Sequence, residues 1–165
     1  MVLFDFSLPQ TVASWHTEND VVMGGVSSSH FTHLSEEDNG EACGHFSGEV
    51  SLENDGGFAQ ILYDDKHFDL ADSSGIELYV KGDGQSYQLR LETDDDKIAY
   101  AQSFVAKEAW HRVRLPFTNF EKTYNGEDRP DGPDLDLNHI RTVGLLIGDG
   151  QEGEFDIFVK RIETF

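Results

Sequence analysis

The 165 residues carry 12 Lys and Arg against 32 Asp and Glu, a formal charge of −20, and 38% of the side chains are hydrophobic. That apolar share is enough for a globular core and excludes disorder of the whole chain, while the lack of a basic cluster argues against nucleic acid and anionic membrane surfaces as partners. No run approaches the roughly 20 apolar residues of a membrane-spanning helix, and the lone cysteine, Cys43, excludes an intrachain disulfide or a four-cysteine zinc site.

The chain opens Met1-Val2-Leu3-Phe4-Asp5-Phe6, without a basic start or a small-residue cleavage site, which points away from secretion. With one cysteine, it predicts a cytoplasmic protein in a reducing compartment. After Trp15 comes Asn19-Asp20-Val21-Val22-Met23-Gly24-Gly25-Val26-Ser27. An Asx pair followed by paired glycines suits a tight turn whose backbone can approach a neighbour closely. A strand is expected over 27–34. Cys43, between Ala42 and Gly44, reads as a small half-buried filler beside the next strand, 45–52, in which Phe46, Val50 and Leu52 share one side. Glu53-Asn54-Asp55-Gly56-Gly57-Phe58 repeats the Asx, paired-glycine and aromatic pattern ahead of a strand at 58–63.

In 75–82, Ile76, Leu78 and Val80 oppose Glu77, Tyr79 and Lys81, and in 87–93, Tyr87, Leu89 and Leu91 oppose Gln88, Arg90 and Glu92. Gly82-Asp83-Gly84 between them predicts a hairpin. Asp94-Asp95-Asp96 reads as a charged loop before a strand at 98–106, and further strands are expected at 111–117, 142–148 and 153–163. Asn39-Gly40, Asn125-Gly126, Asp131-Gly132 and Asp149-Gly150 add turn signals. Residues 121–139, with Pro130 and Pro133, form the one long irregular stretch. No segment has a helical period; Glu36–Asn39 and Lys107–Ala109 have room for a single turn each. Nine or ten half-wet strands around one core predict an all-β antiparallel sandwich, a single domain over 1–165, with Trp15, Trp110 and Phe117 in the core.

Catalytic signatures fail in turn. Gly25-Val26-Ser27-Ser28-Ser29 lacks the second glycine of a nucleophile elbow, and no phosphate-binding or dinucleotide glycine motif occurs. His30 and His33 fall on opposite faces of a strand, poor geometry for zinc. Asp131, Asp134 and Asp136 lack the spacing of a calcium loop, and a structural calcium among loop carboxylates is a hypothesis for calorimetry. No enzyme activity, cofactor or metal site is predicted. The candidate binding residues are Asn19, Asp20, Met23, Gly24, Gly25, Asn54, Gly56, Gly57, Lys81 and Asp83, at the loop end of the sandwich, with Asp20 and Lys81 expected to pair. Tyr79, Gln88, Arg90, Tyr100 and Gln102 form an alternative sugar-binding face, because a ring plane with amide and guanidinium donors suits a sugar ring.

The succession of blocks resembles the complex I intermediate-associated protein 30 family. Trp15, Asn19-Asp20 and Met23-Gly24-Gly25-Val26-Ser27 match its opening signature. Phe46-Ser47-Gly48, Asn54, Gly56-Gly57-Phe58, Lys81-Gly82-Asp83-Gly84, Tyr87, Tyr100, Gln102, Phe104, Trp110, Leu115-Pro116-Phe117, Phe120, Gly144-Leu145, Gly153, Phe155 and Ile162 follow in order. Two departures stand out. Ile61-Leu62-Tyr63 replaces an expected basic residue, and Phe120-Glu121-Lys122-Thr123 stands where a Pro and an Arg-Gly pair are expected. The resemblance implies a galactose-binding-domain-like jelly roll. It also implies a non-enzymatic protein-binding module akin to assembly factors of respiratory complex I (NADH:ubiquinone oxidoreductase), whose partner is a respiratory subunit or assembly intermediate. A carbohydrate-binding module is the alternative.

Overall fold

A computed structural model describes residues 1–36, 40–94, 97–124, 127–128 and 130–165. Asn39, Asp95, Asp96, Asn125 and Gly126, named above for turns, lie outside the described residues. The first sheet runs β3 (Ser28–Leu34), β4 (Cys43–Val50), β13 (Gly153–Thr164), β6 (Gly75–Gly82), β9 (His111–Pro116), with β1 (Val2–Asp5) also paired to β13. The second runs β11 (Glu127–Asp128), β10 (Glu121–Tyr124), β8 (Ile98–Val105), β7 (Ser86–Glu92), β12 (Thr142–Ile147), β5 (Ala59–Tyr63), β2 (His16–Asn19). Every pairing is antiparallel. This is the two-layer sandwich that the alternation implies.

β13 is the organising strand. Its first half pairs with β4 and its second with β1, while β6 runs along the other side. The register slips between Val159 and Arg161, a bulge at Lys160 that lets one long strand serve three partners. Between the sheets, Phe46, Ile157, Val159, Ile76, Leu78 and Val80 meet Ile61, Val143, Leu145, Ile147, Tyr87, Leu89 and Leu91, all buried. One end of this core is aromatic: Trp15 lies edge-on to Phe4 at 4.9 Å and to Phe6 at 5.4 Å, and Phe4 meets Tyr63 at 4.9 Å.

Several expectations need correction. The strands at 75–82 and 87–93 are not a hairpin. β6 pairs with β13 and β9, β7 pairs with β8 and β12, and the chain crosses from one sheet to the other between them. Asp83 fixes that crossing. Its carboxylate accepts from the Gln85 N–H at 3.1 Å, the Tyr87 hydroxyl at 3.0 Å and the Asp156 N–H at 2.9 Å. Residues 121–139 are not wholly irregular, since β10 and β11 lie within them. A five-residue helix α1 (Pro9–Ala13) forms, too short to register a period; it starts on Pro9 and buries Val12. β1 and β2 are four residues each and escaped the pattern for the same reason. Trp110 is outside the core, Leu52 is exposed beyond the end of β4, and Cys43 is fully buried rather than half-buried.

Candidate functional site

At the loop end, both paired-glycine motifs close on one side chain. Asp20 is fully buried, in the 3-10 turn after β2. Its carboxylate accepts from Ser27 Oγ at 2.6 Å, the Ser27 N–H at 3.0 Å, the Gly57 N–H at 2.7 Å and the Phe58 N–H at 3.4 Å. Burial pushes this carboxyl up, but the Ser27 hydroxyl and the three backbone donors outweigh it and hold it below the ordinary aspartate value. A Cβ on Gly25 would sit 2.4 Å from Asp20 Cγ, and one on Gly56 would sit 2.5 Å from Oδ2. Here the glycines make room for a carboxylate of the chain itself. Asn19 Oδ1 accepts from Ser29 Oγ at 2.7 Å, tying the turn to β3. Val21, Val26 and Leu52 stand exposed around this cradle. Asn54 and Gly24 are exposed at its rim, and the Met23 side chain lies outside the described ones.

The outer face of the first sheet carries rings and cations. Trp110 stacks on Tyr79 at 5.2 Å, Lys81 Nζ lies 5.7 Å over Trp110 and 4.9 Å over Phe158, and His45 stacks on Phe158 at 4.3 Å. Beside them Arg161 lies 5.7 Å from the Tyr79 ring, and Arg112 and Arg114 have side chains 63% and 65% exposed. Both guanidiniums reach the buried Glu77, Arg114 Nε at 3.0 Å and Arg112 Nη1 at 3.6 Å. Burial raises the Glu77 carboxyl, and the hydrogen bond from Arg114 with the two arginine charges brings it below the usual range. Burial lowers the His45 imidazole, against the Asp156 carboxylate 3.8 Å away.

The outer face of the second sheet is recessed. Leu62, Thr142, Leu146, Ala99, Ala101 and Thr123 point away from the core, as their registers require, yet all are buried. Small residues explain this. Gly144 makes a low floor between the longer Glu18 and Gln60 on one side and Arg90 and Glu92 on the other, and Ala99 and Ala101 make a second low strip beyond β7. Over Gly144 lies a cavity of about 100 Å3, lined by Glu18, Gln60, Leu62, Arg90, Glu92, Thr142 and Gly144. Arg90 Nη1 lies 3.5 Å from Gln88 Oε1, and Gln88 Nε2 lies 3.4 Å from Asp149 Oδ2. Burial lowers the Arg90 guanidinium, although the charges of Glu92 and Asp149 work the other way.

The expected residues therefore fall into separate places. Asn19, Asp20, Gly24, Gly25, Asn54, Gly56 and Gly57 do come together. Lys81 belongs to the ring-bearing face and Asp83 to the sheet crossing, so Asp20 and Lys81 do not pair. Of the sugar-face residues, Gln88 and Arg90 share the recess, and Tyr79 is on the opposite sheet. Tyr100 points into the core, its hydroxyl donating to the Pro133 carbonyl at 2.8 Å, and Gln102 donates to the Pro116 carbonyl at 2.9 Å. Asp134 and Asp136 pair with Lys122 and His139. Glu18, Gln60, Glu92, Thr142 and Gly144 are additions to the recess. Only the polar phase of β7 signals it in the sequence, because β2 is short and β12 reads as an apolar run buried on both faces.

Comparison with known proteins gives a consistent picture. The profile of the family described as complex I intermediate-associated protein 30 matches residues 4–159. An uncharacterized protein of Schizosaccharomyces pombe is 27% identical over 175 residues, covering 92% of this chain and 80% of that one. Among solved structures, a family 11 carbohydrate-binding module from Clostridium thermocellum, in complex with a β-1,3-1,4-mixed-linked tetrasaccharide, superimposes with a TM-score of 0.73 at 16% identity, covering 99% of this chain and 94% of that one. The family 11 module of the cellulosomal cellulase Lic26A-Cel5E from the same organism gives 0.74 at 16% identity, over 98% and 92%. At that identity the likeness establishes the jelly-roll sandwich alone. No described helix is long and apolar enough to cross a membrane.

Proposed function

The chain belongs to the complex I intermediate-associated protein 30 family, and from that premise we propose that it is a non-enzymatic, cytoplasmic protein-binding module acting on subunits or assembly intermediates of a respiratory complex. The observation that carries this reading is the outer face of the first sheet. Trp110, with no place in the core, lies stacked on Tyr79 beside two largely exposed arginines. Trp, Tyr and Arg are the residues that dominate protein interfaces, since rigid rings and planar guanidiniums bury much area at little entropic loss. In a chain of charge −20, five of the 12 cations (Lys81, Arg112, Arg114, Lys160 and Arg161) gather on this sheet, so a partner meets less like-charge repulsion here. Val21, Val26 and Leu52, on the Asp20 cradle, are the second contact surface.

Affinity capture at low salt from cells of the source organism tests this. Capture of respiratory subunits by the wild type, lost with Trp110→Ala or with Val21→Ser and Val26→Ser together, is the expected result. Trp110→Ala should cost about 0.5–1.5 kcal/mol for the lost stacking plus the contribution of its half-buried area, less than Trp15→Ala, which should destabilise by about 3–5 kcal/mol. Equal capture by wild type and Trp110→Ala would remove the ring-bearing face from the proposal.

Carbohydrate binding is a second reading, favoured by one observation: Arg90, with Gln88 beside it, lines a polar recess with a cavity over Gly144.

A further inference from the structure

Resting on that second reading, we propose that the recess on the outer face of the second sheet is a binding site for a neutral, linear glycan, with Arg90, Glu92, Glu18, Gln60 and Thr142 contacting its hydroxyls. Three features select this class of ligand. First, the floor is a sheet face whose backbone groups are already spent in the ladders of β5, β12, β7 and β8. A peptide could not add there as a strand, so the ligand must bring its own donors and acceptors on its sides. Second, the lining alternates donors with acceptors. The guanidinium of Arg90 and the amide of Gln60 stand among the carboxylates of Glu18 and Glu92 and the hydroxyl of Thr142. A hydroxyl both donates and accepts, so a ring carrying several satisfies such a mixture. Third, Glu18 and Glu92 outnumber Arg90, and the whole chain carries −20, which disfavours phosphorylated, sulfated or uronic ligands.

The shape fits a chain better than a single ring. Buried outward-facing residues run from Leu62 on β5 through Thr142 and Leu146 on β12 to Ala99 and Ala101 on β8 and Thr123 on β10. With β7, whose Gln88, Arg90 and Glu92 rise from the middle of the strip, these are five strands and four spacings of ~4.8 Å, about 19 Å in all. No Phe, Tyr or Trp ring projects from the described part of this face, so binding would come mainly from hydrogen bonds and be correspondingly weak.

The missing side chain at Gly144 makes the test clean. A Cβ there would meet its nearest neighbour, the Ile61 carbonyl oxygen, at 3.4 Å and Gln60 Oε1 at 3.6 Å, ordinary contact distances, so Gly144→Ala folds and Gly144→Val raises the floor of the cavity. Backbone amide shifts of the full chain would be followed by NMR during titration to about 10 mM with a β-1,3-1,4-linked tetraglucoside and an agarose-derived tetrasaccharide. The expected result is saturable shifts at Ala99, Ala101, Gly144 and Leu146, unchanged by salt, with affinity at least about tenfold weaker in Gly144→Val and in Glu92→Gln. Gly144→Ala serves as the folding control. No shift with either oligosaccharide, shifts confined to another surface, or equal affinity in Gly144→Val would overturn the site. Saturable shifts confined to another surface would remove this site and leave the carbohydrate reading standing, whereas no shift with either oligosaccharide would remove both.

Discussion

A carboxylate with no solvent contact is tolerated at Asp20 because four donors converge on it, two from Ser27 and one each from Gly57 and Phe58. Truncating it would leave three backbone N–H groups and a hydroxyl facing a void. Since hydrogen bonds to charged groups contribute about 1.5–3 kcal/mol each and stranded donors add their own penalty, Asp20→Ala should destabilise by at least about 3 kcal/mol. A urea midpoint close to wild type would contradict the assignment. The sign of the pH dependence follows from the same contacts. Asp20 titrates below the ordinary aspartate value of 3.8 in the folded chain, so the unfolded chain holds this proton more tightly. The contribution is complete above that value and is lost as pH falls through the folded one. Urea midpoints taken downward from neutral pH should therefore show an acid limb starting near 3.8 that is reduced in Asp20→Asn.

At the scale of elements, the crossing from β6 to β7 decides the topology, and one side chain holds it. The buried phenol of Tyr87 donates to Asp83, and burial next to that carboxylate raises it far above an ordinary tyrosine. Asp83→Ala would orphan this hydroxyl together with the Gln85 and Asp156 amides, at about 1–3 kcal/mol for a buried group. Hydrogen exchange should quicken at Gln85 and Asp156 and stay unchanged in the β3–β4 pairing; uniform quickening would mean global loosening instead. Gly82-Asp83-Gly84 suits a hairpin as well as a crossing, and the deciding contact, to the Asp156 N–H, lies 73 residues away. That is why alternation located nine strands but not their sheets. The same limit applies to the sites. The turn character of Gly24-Gly25 and Gly56-Gly57 is legible locally, whereas their shared dependence on Asp20 exists only once β2 and β5 pair. Arg90 and Gln88 are legible as the wet phase of β7, but a recess needs the small residues of β8 and β12 beside them, and strand order brings these together.

Across the whole molecule the excess of 20 negative charges opposes compaction, because folding concentrates charges that the open chain spreads out. Screening reaches ~30 Å at 0.01 M salt and ~10 Å at 0.1 M. Thermal midpoints measured between those concentrations should rise with salt, and a flat or falling curve would mean that local pairs, not net charge, dominate. The buried carboxylate of Glu77 separates these two contributions. It is neutralised at short range by Arg112 and Arg114 and shielded from mobile ions by its burial. Removing both guanidiniums leaves a buried charge with its compensation gone, a loss smaller than the about 3–5 kcal/mol of a fully buried pair broken outright, because both arginine side chains are largely exposed and their charges are screened by solvent. The Arg112→Ala, Arg114→Ala double variant, two units more negative than wild type, should thus melt lower at every ionic strength, with the gap narrowing as salt screens the added net charge but persisting at high salt because Glu77 is buried. A gap that closes completely with salt would show that these arginines act through the general field of the molecule and not through Glu77.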